Sequence, residues 1–354
     1  MIENVAFYCV YNDVDTEEID EIRRFLNDND LDMDDQVEVF VVGRRENQSG
    51  LVACAGLDHA TIKCVAIDSG LRGEKISLTL GSRIIEVAAS RGVFDLFLYS
   101  SPKNRLFFRG WGFYPLVEVP DMVMLMENSS VAIGNYCRKV CRDRRPGKTI
   151  GAIVMNANPF TLGHRSLAIQ AAKKCDWLHV FLVREEASMF SYAERHMLVV
   201  AGLADIKNVT IQEGSNYIVS RATFPGYFLK DKAQVDRGWA AVDLLLFREY
   251  IGPALGITHR FVGTEPFDAT TRHYNTQMRM WLQGDAGLGP DIDVVEIPRI
   301  SVDGEAISAS EVRELIHSGN FARIARMVPN TTLEFLRQKY GRAHDVASTK
   351  EVVK

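Results

Sequence analysis

The chain has no apolar run approaching the ~18 residues that a membrane-spanning helix needs, and its start lacks the marks of an export signal. Met1 to Val10 carries an acid at Glu3, no basic segment and no small-residue cleavage site, so no signal peptide is expected. Nor is there an excess of base: 41 Lys plus Arg stand against 46 Asp plus Glu, a formal charge of −5. A dedicated nucleic-acid binder would carry a strongly basic footprint, so that class is set aside. Cysteine is sparse. Cys9, Cys54, Cys64, Cys137, Cys141 and Cys175 are scattered, mostly in apolar stretches where a thiol acts as a small hydrophobe. Cys137 and Cys141 have C-x-x-x-C spacing, but no second Cys/His pair follows at zinc-finger spacing, so free thiols and no metal centre are expected. Repeats and low-complexity tracts are missing too. These absences point to a cytoplasmic protein with neither nucleic acid nor membrane as partner.

What is present is the balance of a soluble globular chain, 47% hydrophobic and 25% charged over 354 residues, a length that suits two domains. Between Asn12 and Asp35 stand eleven acids and two bases. Ile19, Ile22, Phe25 and Leu26 recur there at helical spacing, which favours a solvated helix with an acidic flank over a docking surface. Strands are expected at Val37–Val42, Leu51–Leu57, Thr61–Ile67 and Phe94–Tyr99, with a helix through Ile76, Leu80, Ile84 and Val87 stopped at Gly92. Residues 128–148 are polar, without sustained periodicity, and end in a basic Pro-Gly cluster. The expected division is therefore 1–135, a linker at 136–148, a second domain at 149–345 and a polar tail at 346–354. In the second part apolar runs alternate with helical patterns, Thr149–Met155 and Leu178–Val183 being strands, which implies a doubly wound parallel sheet.

Chemistry concentrates in two places. From Gly151 to Arg165 a buried strand ends near Asn156, a turn holds Asn158 and Pro159, and a helix begins near Thr161 or Gly163. Unpaired N–H groups at such a helix start attract an anion. Gly163 admits close approach, Thr161 offers a hydroxyl, and His164, one turn on, can reach the same phosphate. A Walker-type G-x-x-x-x-G-K-[ST] loop is absent. A plain capped helix with a surface histidine is the simpler alternative. The second place is Ile307-Ser308-Ala309-Ser310-Glu311-Val312-Arg313. Ser310 is expected to cap a helix Glu311–His317, Ser308 and free N–H groups to bind phosphate oxygens, and Arg313 to clamp the β- and γ-phosphates, the alternative being a plain capped helix with a surface arginine.

T-x-G-H at Thr161 to His164 and I-S-x-[ST]-x-x-R at Ile307 to Arg313 resemble the two signatures of the nucleotidyltransferase superfamily. That resemblance implies ATP with Mg²⁺, bound by Asn156, Thr161, Gly163, His164, Ser308, Ser310 and Arg313, with His164, Thr161 and Arg313 catalytic. Arg184 and Arg195 are candidates for phosphate or carboxylate contacts, or for surface salt bridges to Glu185, Glu186 and Glu194.

The stretches Val183 to Arg195, Ala204 to Thr210, Ser215 to Lys230, Val262 to Phe267 and Glu296 to Arg299 are more particular, and the chain resembles the citrate lyase ligases through them. The family implies a two-step reaction. Acetate attacks ATP to give acetyl-adenylate and pyrophosphate, and the acetyl group passes to the thiol of the CoA-like prosthetic group on the acyl-carrier subunit of citrate lyase.

The first half resembles the GNAT acetyltransferases. Arg72 to Ser77 stands at their pyrophosphate loop and Phe107 to Tyr114 matches their terminal signature. Lys75 and Ser77 depart from the usual glycine and small residue, so Arg72, Gly73 and Lys75 are candidates for holding a CoA-like arm rather than for acetyl transfer. The expected fold is thus a GNAT-like mixed α/β domain followed by a Rossmann-like, doubly wound nucleotidyltransferase domain. Two other functions stay open: a nucleotidyltransferase adenylating a phosphorylated small molecule of the pantetheine-phosphate or nicotinamide-mononucleotide type, and a non-catalytic nucleotide or acyl-CoA sensor. Tyr217, Thr223, Phe224 and Tyr227 suit either a substrate pocket or core packing. His179, His196 and His259 suit structural roles.

Overall fold

Two layers of helix enclose the first sheet because its strands are apolar on both sides. In the computed structural model, which describes residues 5–46, 50–71, 75–184, 188–219, 224–229, 232–264, 269–284, 287–302 and 305–341, the chain opens with β1 (Val5–Tyr11), α1 (Thr16–Asp28), β2 (Val39–Arg45), β3 (Leu51–Asp58), β4 (Thr61–Ile67) and α2 (Lys75–Ser90). It continues through β5 (Phe97–Ser100), α3 (Arg105–Arg109), β6 (Tyr114–Val119), β7 (Val123–Glu127) and α4 (Ala132–Val140). The strand order is β1-β2-β3-β4-β5-β7-β6. Only the β4–β5 pairing is parallel. Successive strand residues face opposite ways. Val39 and Val41 of β2 therefore join Ile76, Leu80 and Ile84 of α2 in one core. Phe40 and Val42 join Ile19, Ile22 and Leu26 of α1 in the other. Glu17, Asp20 and Asp28 of α1 are exposed, whereas Glu21 pairs with Arg44 of β2 and Glu18 accepts from the Tyr8 hydroxyl of β1. Ser77, which departs from the acetyltransferase pattern, accepts a hydrogen bond from the Trp111 indole N–H at 3.1 Å.

Three sequence expectations need correction here. Phe94, placed in a buried strand, is 71% exposed, and the strand starts only at Phe97. The supposed linker is helical at its start, because α4 buries Ile133 and Val140, seven residues apart on one stripe. Chain contacts also divide the molecule differently from 1–135 and 149–345. One compact unit is Met1–Asn135 with Phe224–Val242, the other Tyr136–Thr223 with Asp243–Lys354. Aromatic burial explains the added segment. The Phe224 ring meets Tyr99 edge-on at 5.1 Å, and Tyr227 packs against the core that holds Phe40 and Cys64. Those two aromatics are therefore core residues of the first unit.

The second unit alternates strand and helix: β8 (Ile150–Met155), α5 (Leu162–Ala172), β9 (Trp177–Leu182), α6 (Tyr192–Leu203) and β10 (Val209–Gln212). After α7 (Lys232–Leu246), which belongs to the first unit as far as Val242, and α8 (Gly252–Leu255) come β11 (His259–Gly263), α9 (Ala269–Gln283) and β12 (Asp293–Ile297). A short hairpin, β13 (Ser301–Val302) and β14 (Glu305–Ala306), precedes α10 (Ala309–His317), α11 (Phe321–Ile324) and α12 (Asn330–Leu336). The sheet is parallel throughout, in the order β10-β9-β8-β11-β12. The chain moves outward from β8 through β9 to β10, then returns to the other side of β8 with β11. This reversal leaves a crevice outside the carboxyl ends of β8 and β11. No helix among the described residues is long and apolar enough to cross a membrane.

One close contact secures the turn that follows β8. Phe160 is fully buried, and a Cβ added to Gly202 of α6 would lie 2.3 Å from its Cε1. Gly202→Ala must displace this ring within a packed core. The expected cost is ~1–3 kcal/mol, read as a lower urea midpoint at unchanged slope. An unchanged midpoint would show that the turn yields freely.

Candidate functional site

At the strand reversal lies a cavity of about 440 Å³, lined from β8 by Met155 and Asn156, from the start of α5 by Thr161, Gly163 and His164, from the end of β11 by Gly263, from the end of β12 by Pro298 and Arg299, and from the start of α10 by Ser308, Ala309 and Ser310. Its size is that of a small-molecule site. Six residues singled out from two distant sequence motifs, Asn156, Thr161, Gly163, His164, Ser308 and Ser310, thus face one space.

The α5 start is a reciprocal cap. Thr161 is the N-cap, its hydroxyl accepting from the His164 N–H at 3.4 Å, while the His164 Nδ1 accepts from the Thr161 N–H at 3.1 Å. The Thr161 Oγ1 also lies 2.9 Å from Nδ1. A backbone N–H can only donate, so Nδ1 must be the unprotonated nitrogen, and in the neutral ring Nε2 carries the hydrogen. The ring stays neutral, because burial, reinforced by the positive charge of Arg299, pushes its pKa down to about 4. Phe160 stacks on it with ring centroids 5.9 Å apart. His164 is therefore a fixed, uncharged donor at the mouth of the site, and Thr161 is the residue that orients it.

The two helix starts offer further donors. Leu162 N–H is taken by the Met327 carbonyl at 2.8 Å, but the N–H groups of Gly163 and Ala309 meet no acceptor among the described residues. The cap of α10 differs from expectation. Ser308, not Ser310, is the N-cap, accepting from the Ser310 N–H, and the helix begins at Ala309. Ser308 has the extended backbone, φ −117° and ψ 133°, that a cap requires.

The arginines are distributed in a way the motifs do not convey. Arg195 lies fully inside the protein, not at its surface. It donates to the carbonyls of Phe190, Asn156 and Val183 and to Asn156 Oδ1 at 2.9 Å. The Asn156 oxygen is thereby occupied, which leaves its amide N–H groups for a ligand. Arg313 donates to the Asn158 carbonyl and, at 2.9 Å, to Ser310 Oγ, and neither it nor Arg184 is among the described residues lining the cavity. Arg184 is exposed just beyond β9. Arg299, which also lines the cavity, belongs to neither motif. The signal for it was available: residues just past the carboxyl end of a parallel strand are the ones that meet ligands.

Of the first-unit candidates, Lys75 is exposed at the start of α2, while Arg72 and Gly73 lie outside the described residues, as does Thr223. Tyr217 packs on Tyr136 at 5.0 Å. His179 is buried against Gln212, and His196 lies beside the Tyr192 ring. His259 contacts Thr258 Oγ1. Tyr217, His179, His196 and His259 are not among the described residues lining the cavity. Among the described residues the one grouping able to ligate a metal is Glu38, Asp58 and His59, in the first unit.

Residues 150–336 match the family described as citrate lyase ligase C-terminal domain. A [Citrate [pro-3S]-lyase] ligase of Escherichia coli (strain K12) is 47% identical over 317 residues, 90% of this chain and 90% of that protein. Among solved structures, Escherichia coli ElaA superposes with TM-score 0.32 at 18% identity, covering 36% of this chain and 100% of that one. Thermotoga maritima TmcAL bound with alpha-thio ATP gives TM-score 0.33 at 13% identity, covering 55% of this chain and 56% of that one.

Gly163 gives a direct test of the cavity as an anion site. A Cβ there would meet only Thr161 Oγ1 at 3.4 Å and Ile307 atoms beyond it, so the fold does not demand glycine. Gly163→Ala should keep or slightly raise stability, by up to ~1 kcal/mol. It should weaken a phosphate-bearing ligand roughly tenfold or more, measured by calorimetric titration beside thermal melting.

Proposed function

The chain belongs to the citrate lyase ligase family, and we propose that it uses ATP to acetylate the prosthetic-group thiol on the acyl-carrier subunit of citrate lyase, releasing AMP and pyrophosphate. The observation that carries this reading is the convergence of two helix starts and one fixed neutral imidazole donor on a single cavity at the strand reversal.

In the first step an acetate oxygen attacks the α-phosphorus in line, the bond to the bridging oxygen breaks, and pyrophosphate leaves with the electron pair. A carboxylate is already an anion, so the site needs no general base. Its task is positioning and charge stabilisation. His164 Nε2–H would donate to the α-phosphate oxygens as charge builds there. The Gly163 and Ala309 N–H groups, the Ser308 hydroxyl and the Asn156 amide would hold the remaining oxygens, with Thr161 and Arg195 fixing His164 and Asn156. In the second step the carrier thiolate attacks the acetyl carbonyl and AMP departs.

No carboxylate is among the described residues lining the cavity. Mg²⁺ is proposed to accompany the nucleotide as the counter-ion of its phosphates. The first unit is proposed to receive the CoA-like arm, with Arg72, Gly73 and Lys75 as the contacts to test. Dependence on ATP sets the place of action in the cytoplasm.

Labelled ATP incubated with and without acetate and the thiol form of citrate lyase decides the matter. AMP release that needs both, with acetyl label on the carrier subunit, is expected. A stable dinucleotide would instead mark a nucleotidyltransferase, and no turnover a sensor. His164→Ala should lower turnover ~10²–10³-fold with ATP binding largely kept. His164→Gln, whose amide N–H can stand near the Nε2 position, should recover part of the loss. Near-normal turnover in the alanine variant would remove His164 from the mechanism.

A further inference from the structure

In the first unit, α2 and α3 are joined at one place. The Trp111 indole, just past α3, donates to Ser77 in the first turn of α2, and a Cβ added to Gly81 would lie 2.5 Å from the same ring. A Cβ on Gly110 would lie 3.9 Å from Leu78 Cδ2, so Leu78 of α2 rests against the end of α3. Along α3, Leu106 stands one turn before Gly110 and shares its face with Arg109. Along α2, Lys75 stands one turn before Leu78. Leu78 is 55% exposed and Leu106 82%. Two outward-facing leucines thus belong to one patch, with Lys75 and Arg109 at its rim and Lys103 one turn before Leu106. Single apolar residues are ordinary on a surface, whereas an apolar centre with a charged rim is the anatomy of a protein interface.

The charges there are of one sign. Lys75, Lys103 and Arg109 are exposed and enter no ion pair among the described residues. Of the acids on or beside these helices, Glu86 is paired with Arg83, Glu118 with Arg105, and Asp68 accepts from the Gly70 N–H. The opposite side of the sheet is covered by α1, which exposes Glu17, Asp20 and Asp28. The first unit is therefore electrically two-sided, with free cations gathered on one side of a chain whose net charge is −5.

We propose that the α2–α3 patch docks an acidic protein face, that of the acyl-carrier subunit itself, so that the subunit binds through its body as well as through its prosthetic arm. This rests on the proposed function, in which that subunit presents a phosphate-bearing arm to the first unit. Charge selects the occupant. An acidic partner is repelled by the α1 side and drawn to the α2–α3 side, and Leu78 and Leu106 supply the short-range contact. Lys75 also follows directly on Arg72 and Gly73 in the chain, the residues proposed for the arm. A second copy of this chain, with its acidic α1 side against the patch, is the competing occupant.

The test uses the full-length protein and the acyl-carrier subunit of citrate lyase, with and without its prosthetic group. Binding is measured by calorimetric titration at low and high salt. The first reaction step is followed separately, by acetate-dependent exchange of label between pyrophosphate and ATP. Arg109→Glu and Leu106→Ser are each expected to weaken both forms of the carrier ~10-fold or more. Melting temperature and label exchange should stay close to wild type, because both side chains are exposed and neither lines the cavity. Carrier affinity should fall as salt rises, less steeply in Arg109→Glu than in wild type. Asp20→Lys, on the α1 side, should leave the affinity unchanged or raise it. Equal carrier binding by wild type and both patch variants would overturn the assignment, as would complete loss of binding when the prosthetic group is removed. A change confined to self-association, seen by light scattering, would give the patch to a second copy instead. Exchange without carrier binding in wild type would end the docking surface alone, whereas carrier binding without exchange would end the acetyl-adenylate reading alone.

Discussion

Everything at the candidate site follows from the reversal of strand order beside β8. A parallel sheet covered by helices on both faces offers no gap along its length. A gap opens only where consecutive connections leave in opposite directions. Here β9 and β10 lie to one side of β8, β11 and β12 to the other, and the crevice falls at the ends of β8 and β11. Because the N-termini of α5 and α10 both open on this crevice, two sets of unpaired backbone donors face one volume.

For the polyanion of the proposed function, this arrangement supplies what a mildly acidic protein lacks in basic surface. Oriented dipoles and N–H groups act at short range and are little screened inside a cavity. The same economy governs His164. A protonated imidazole would add charge, yet the cap with Thr161 and the nearby Arg299 hold the ring neutral and select the tautomer with the hydrogen on Nε2. A neutral donor that is already aligned needs little reorganisation when charge develops on the substrate. Arg195 contributes in a similar way from within the protein. It gathers the carbonyls of Asn156, Val183 and Phe190 and so fixes the loop at the end of β8.

The first unit shows how far a local signature can stand from a local role. Ser77 breaks the glycine-rich pattern of an acyl-CoA loop, and its hydroxyl serves the Trp111 indole. The segment Phe224–Val242 is separated in sequence from the rest of that unit by most of a parallel sheet, yet its aromatics complete the unit's cores. Apolar surface is buried wherever a complementary gap exists, and sequence distance sets only a slowly growing entropic cost.

Periodicity and motif were enough for most of the architecture. The amphipathic face of α1, the alternating strands and helices of the second unit and the approximate starts of α5 and α10 can be read from residues a few positions apart, because hydrogen bonding and hydrophobic alternation are local. The pairing of T-x-G-H with I-S-x-[ST]-x-x-R likewise pointed to the residues that meet in the cavity. Tertiary packing settled what those local rules leave undetermined. It capped α10 with Ser308 instead of Ser310, drew Arg195 inward from a presumed surface, turned Arg313 onto the Asn158 carbonyl, and set Arg299 over the end of β11. A guanidinium reaches several ångströms from its backbone and takes whichever acceptors the fold brings near. Its residue type is written in the chain, but its partner is decided only when distant strands are placed side by side.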